Sequence, residues 1–146
     1  GVEQLAPLLD VDGVEFWSVQ HAVDPAESAY PAEHGIRQIE DADLFDDFEC
    51  LAGHLASMDL VIGISTVPME LAAAVGTPTW LLGFSPENYL YRTGGGRTSV
   101  DQLSRNSTII APPWIDFTAP YQECVDLVVA DCRARLTSLA RAPRPS

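Results

Sequence analysis

Residues 59–83, D-L-V-I-G-I-S-T-V-P-M-E-L-A-A-A-V-G-T-P-T-W-L-L-G, read as strand, tight turn, helix, tight turn, strand. Leu60 to Ile64 is a short apolar run rich in β-branched residues, the pattern of a strand buried on both faces. Ser65 or Thr66 can cap a helix, and Pro68 fits its first turn. Ala72, Ala73 and Ala74 favour helix, Gly76 stops it, and Pro78 prevents its continuation. Thr79 to Leu82 is then a second strand. A strand running straight into a helix start points free N–H groups and the positive end of the helix dipole at one spot, which makes an anion site.

Outward from this unit the elements are shorter. Gln4 to Leu9 reads as a short helix, Val14 to Val19 as a strand, and Ile36 to Ile39 as a weak strand. His21 to Gly35 holds two prolines and several acids and reads as a loop with at most a short helix. Asp43 can cap a helix from Leu44 to about Met58, with Phe45, Phe48, Ala52 and Leu55 on one face. Ser85 to Asn106 reads as irregular and polar, Ser107 to Ala111 as a strand, and Pro112 to Pro120 as a linker. Tyr121 to about Leu139 is an amphipathic helix with Tyr121, Val125, Val128, Cys132, Leu136 and Leu139 in register. Alternating strands and helices predict an α/β class, Rossmann-like three-layer domain over residues 1–140, with a parallel sheet of about five strands and a frayed tail at 141–146. No internal repeat or low-complexity segment is visible.

A chain of 146 residues suits one domain, and a hydrophobic fraction of 47% is ordinary for a globular protein. The net charge is −13, and all eight basic residues are arginine. Such acidity opposes nucleic acid and anionic membrane surfaces, while leaving room for a small anion held locally. No run approaches the roughly 20 apolar residues of a membrane span, and Gly1-Val2-Glu3-Gln4 does not read as a signal peptide. A first residue other than Met predicts a domain taken from a larger protein. The odd set Cys50, Cys124 and Cys132 falls in predicted helices without a C-x-x-C pair, as expected for reduced core cysteines of a cytoplasmic protein with no bound metal.

Ser65 and Thr66 read first as helix caps, whose hydroxyls and neighbouring N–H groups can also hold a diphosphate. Glu70 is more discriminating. A capping box needs Glu three residues after the cap, but Pro68 and Met69 occupy those positions. Glu70 then either favours the helix dipole or solvent, or accepts both hydroxyls of a ribose. Gly94-Gly95-Gly96 between Arg92 and Arg97 reads as a surface loop or a phosphate wrapper; it opens no helix after a strand, so it is no dinucleotide fingerprint. Gln20 and His21 follow a strand, where base or sugar contacts fall, though a lone His there is more often incidental. His34 and His54 read as structural or exposed, Trp17, Trp80 and Trp114 as packing residues, and Asp46, Asp47 and Glu49 as solvated charges.

The central stretch resembles the donor-binding region of GT-B fold glycosyltransferases, and in particular the heptosyltransferase-like and O-GlcNAc-transferase-like C-terminal domains that follow tetratricopeptide repeats. Those domains typically read D-L-V-I-x-V-D-T-x-x-A-H-L-A-G-A-L-G-x-P-V-W-x-L-L. Phe16 to Gln20 is similar to their F-x-S-L-Q strand end, and the stretch from Tyr91 to Pro112 sits where they have a loop before the last strand. Two positions depart: Ser65 stands where the family has Asp, and Glu70 where it has His. Other GT-B enzymes and the related epimerases place a ribose-binding Glu early in this helix.

The resemblance implies the nucleotide-sugar-binding half of a glycosyltransferase, moving a sugar from a nucleoside diphosphate donor to an acceptor held by an N-terminal domain. The donor is then a substrate and no cofactor is needed. Ser65, Thr66 and the helix start would take the phosphates, Glu70 the ribose, and Arg92 or Arg97 the charge of the leaving diphosphate. The catalytic base would lie in the other domain, so this chain alone is not expected to be competent. The alternatives are an epimerase half sharing the ribose glutamate, or a non-catalytic interaction domain that has lost donor binding.

Overall fold

The computed structural model describes residues 2–20, 29–40, 42–96, 98–111 and 120–142. The chain is α/β with a Rossmann-like alternation of parallel strands and helices, and it divides into two compact units, 1–41 with 129–146 and 42–128.

The first unit opens with a 3-10 turn, Val2–Leu5, running into α1, Ala6–Leu9. Two short strands, β1 (Trp17–Ser18) and β2 (Arg37–Gln38), pair in parallel, with α2 (Tyr30–Glu33) between them. Their rim is an exposed cluster in which Arg37 pairs with Glu15 at 3.0 Å and lies over the Trp17 ring, while the Trp17 indole N–H donates to Glu15. Trp17 is thus a surface residue here, not core.

The second unit holds the predicted β-α-β. β3 (Val61–Gly63), β4 (Thr79–Leu82) and β5 (Ser107–Ile110) form a parallel sheet in that order, with Val61 beside Thr79 and Thr79 beside Ser107. α4 (Val67–Ala74) connects β3 to β4 and packs against both. Gly63 makes this close approach possible, since a Cβ there would lie 3.1 Å from Met69 Sδ. α4 ends as its sequence dictates: Gly76 is left-handed at φ 94°, and the Thr77 N–H turns back to the Ala72 carbonyl. The expected single sheet is corrected in part, because the five described strands divide between a two-stranded and a three-stranded sheet. β1 and β2 are two residues each and largely exposed, too short and polar to build a buried five-stranded layer.

Two helices differ from expectation. α3 spans Phe48–Ala56 and is capped by Asp47, whose carboxylate accepts from the Cys50 N–H at 2.9 Å. Asp43 instead closes a preceding turn, accepting from the Phe45 and Asp46 N–H groups. Of the expected face, Leu55 is buried and Ala52 half-buried, while Phe45, which precedes the helix, and Phe48 are exposed and Leu51 is buried in their stead. In the stretch read as irregular lies α5, Pro86–Thr93. Ser85 caps it, and its hydroxyl donates to Glu87, holding that carboxyl below the usual range. Gly94, left-handed at φ 64°, ends it, with the Gly95 N–H bonded to the Leu90 carbonyl. The glycine run is therefore a helix stop.

α6, Tyr121–Arg141, contributes its first turns to the second unit and the remainder to the first. Val125, Val128, Cys132 and Leu136 are buried as their spacing predicts, while Tyr121 and Leu139 at its ends are exposed. Arg141 is the last helical residue, and 143–146, like Trp114, lie outside the described residues. No described helix is long and apolar enough to cross a membrane.

The three cysteines are unpaired. Burial, reinforced by Asp131 and opposed by Arg135, pushes the Cys132 thiol from 9.0 up to about 12. Between those values the folded chain keeps a proton that the unfolded chain loses, so stability is full below pH 9.0 and falls as pH rises toward 12. Cys132→Ala is expected to flatten that alkaline loss in urea unfolding followed against pH. In the wild type a thiol reagent at pH 8 should label Cys132 only as fast as the chain unfolds.

Candidate functional site

Thr66 sits at the N-cap of α4 with extended backbone, but its hydroxyl donates back to the Ile64 carbonyl at 3.2 Å and caps nothing. Pro68 has no N–H to offer, and the Met69 and Glu70 N–H groups already go to the Thr66 carbonyl. The helix start therefore presents the N–H groups of Thr66 and Val67, fewer donors than its sequence promised.

Ser65 and Glu70 are brought together by Arg92, from the last turn of α5. Arg92 is only 5% exposed. Its Nη2 donates to Ser65 Oγ at 2.8 Å and pairs with Glu70 Oε1, while Nη1 reaches Glu70 Oε2 at 3.4 Å. Nη1 also donates to Asp101 Oδ2 at 3.1 Å. The Asp101 side chain is 0% exposed, and its other oxygen accepts the Leu103 N–H at 2.9 Å. The Asp101 loop is clamped to the end of α5: the Gln102 N–H donates to the Arg92 carbonyl, and the Gln102 amide to the Thr93 carbonyl. Gly94 belongs to this clamp, since a Cβ there would strike the Gln102 side chain.

The exposure of the two Arg92 partners separates their roles. Asp101 is sealed, whereas the Glu70 side chain is 49% exposed. One guanidinium against two carboxylates leaves the cluster net negative, which suits a hydrogen-bond donor at Glu70 better than an anion. At Ser65 the hydroxyl oxygen is occupied by Arg92, so its own proton is free to donate outward. The gap bounded by Met69, Glu70, Arg92 and Asp101 is too tight for a water molecule, so no ligand enters between these side chains.

Of the other predicted site residues, Gln20 is exposed two residues past β1 in the first unit, its N–H bonded to Ser18 Oγ. His21 and Arg97 lie outside the described residues. Asp101 was missed by sequence reading; the signal lay in Ser85-Pro86-Glu87 and Gly94, a cap and a stop that bracket the helix carrying its partner. Among the described residues no three His, Cys, Asp or Glu side chains gather as a metal site.

Comparison with known proteins finds one stretch of 79 residues, 52% of this chain, that is 39% identical to Protein FlbA of Caulobacter vibrioides. That stretch spans 13% of FlbA. No protein-family model and no solved structure matches the chain.

Proposed function

We propose that this chain is the nucleotide-sugar-binding part of a GT-B type glycosyltransferase acting in the cytoplasm, with the acceptor held by a domain outside it. The observation that carries this reading is the drawing together of Ser65 and Glu70 on buried Arg92, directly after the first strand of a parallel sheet. Ligands of such sheets bind beyond the strand ends. The Ser65 hydroxyl and the Thr66 and Val67 N–H groups then face the diphosphate, and the half-exposed Glu70 carboxylate takes the ribose. Arg92 organises these groups from behind, a different task from the direct phosphate contact its sequence position suggested.

A second reading, a non-catalytic interaction domain, is favoured by the same ion cluster, which already occupies Ser65 and Glu70. Calorimetric titration with UDP, GDP, ADP and CMP separates the two. The first reading expects one of them to bind at millimolar concentration or tighter, and Glu70→Ala to weaken it by about tenfold, as for loss of hydrogen bonds to a charged group. Absence of binding by all four supports the second.

A further inference from the structure

Phe45 and Phe48 are 62% and 53% exposed, the first just before α3 and the second its opening residue. They stand on a hydrogen-bonded turn. The Asp43 carboxylate accepts from the Phe45 and Asp46 N–H groups, the Asp47 N–H donates to the Asp43 carbonyl, and the Asp47 carboxylate caps α3. Large apolar side chains gathered on the surface of an ordered element mark a contact face. α3 extends that face: Glu49, Gly53 and Ala56, at i, i+4 and i+7, are all exposed on one side of the helix. A Cβ added at Gly53 would meet nothing within 4 Å, so no described neighbour calls for glycine there. Glycine is unfavourable inside a helix and serves where another backbone comes close.

The charge around the two rings has one sign. Asp46, Asp47 and Glu49 are exposed beside them, and neither Asp46 nor Glu49 meets a cation among the described residues. Residues 38–91 contain no lysine or arginine. A second copy of a chain with net charge −13 would set like charges against each other at this face. A cationic segment is attracted to it, and an apolar side chain next to the cation would cover the rings. Arginine fits best, since its guanidinium can stack on a ring while pairing with a carboxylate.

We propose that the turn 43–47 and the outer side of α3 form a docking surface for a segment of a partner protein that carries arginine or lysine beside large apolar side chains. It stands apart from the donor-site reading and shares no residue with the cluster at Arg92. A library of short random peptides displayed on phage, selected on the wild-type chain, supplies the probe, and the enriched peptides are resynthesised for titration. They are expected to combine arginine or lysine with aromatic or aliphatic residues and to bind more weakly as salt rises. Phe45→Ser/Phe48→Ser and Asp46→Asn/Glu49→Gln should each weaken them about tenfold or more, as loss of anchoring contacts does. Gly53→Leu should weaken them as much, yet leave the urea midpoint of the chain unchanged or raised, because its side chain enters open space. That variant carries the test should the double phenylalanine variant fail to fold. Selection that enriches no peptide, or only acidic or uncharged ones, overturns the proposal. So do peptides that bind the phenylalanine and glycine variants as tightly as the wild type, which would be attraction to net charge alone. A wild-type dimer in sedimentation equilibrium that Phe45→Ser/Phe48→Ser dissociates would make a second copy the occupant and overturn it as well.

Discussion

Arg92→Met is expected to destabilise the chain by about 3–5 kcal/mol, the range for breaking a buried ion pair by removing one partner. Asp101, at 0% side-chain exposure, would keep only the Leu103 N–H against the cost of a buried negative charge. Little of the loss would come from Glu70, whose half-exposed carboxylate returns to water. Adding Asp101→Asn should recover more than half of it, because the neutral amide still accepts from Leu103 and no unpaired charge remains. Urea unfolding of the two single variants and the double variant checks this, and additive losses would show that Arg92 and Asp101 are not coupled.

The second large effect belongs to the packing of α3 on α4. Leu55 is 0% exposed, and its carbonyl accepts the buried Thr77 hydroxyl just past the end of α4. Leu55→Ala removes that filling and should lower stability by about 2–5 kcal/mol, a large share of the roughly 5–15 kcal/mol typical of a domain. Phe48→Ala, one helix turn from the buried Leu51 but itself exposed, should change it by less than about 0.5 kcal/mol. The midpoints in urea, compared at unchanged slope, decide between them. The reverse order would put Phe48, and not Leu55, in the core.

The later start of α3 shows what was legible in the chain. Residues 59–83 were readable because every local signal agrees: a β-branched apolar run, a proline in the first helical turn, an alanine run, then glycine and proline at the stop. The stretch D-A-D-L-F-D-D-F offers two capping aspartates, Asp43 and Asp47, four residues apart. Propensity alone cannot choose between them; burial of Leu51 and Leu55 does. α5 was hidden for another reason. It buries Arg92 and Thr93 where periodicity looks for apolar residues, so a polar helix reads as loop.

The same cause hid half of the site. Glu70 stood out by its spacing from Ser65 and Thr66, but its partner Arg92 is 22 residues on, and Asp101 a further turn of chain beyond. An aspartate in a polar stretch carries no sign that it will be sealed against a guanidinium. Long-range ion pairing is a tertiary choice, and only the fold makes it.

The most direct measurement of the central claim is the backbone amide spectrum of the chain during titration with UDP, GDP, ADP and CMP. One of them is expected to shift the amides of Ser65, Thr66, Val67 and Glu70, and Glu70→Ala to weaken that response. Amides from 65 to 70 that stay unmoved by all four nucleotides at millimolar concentration would contradict it.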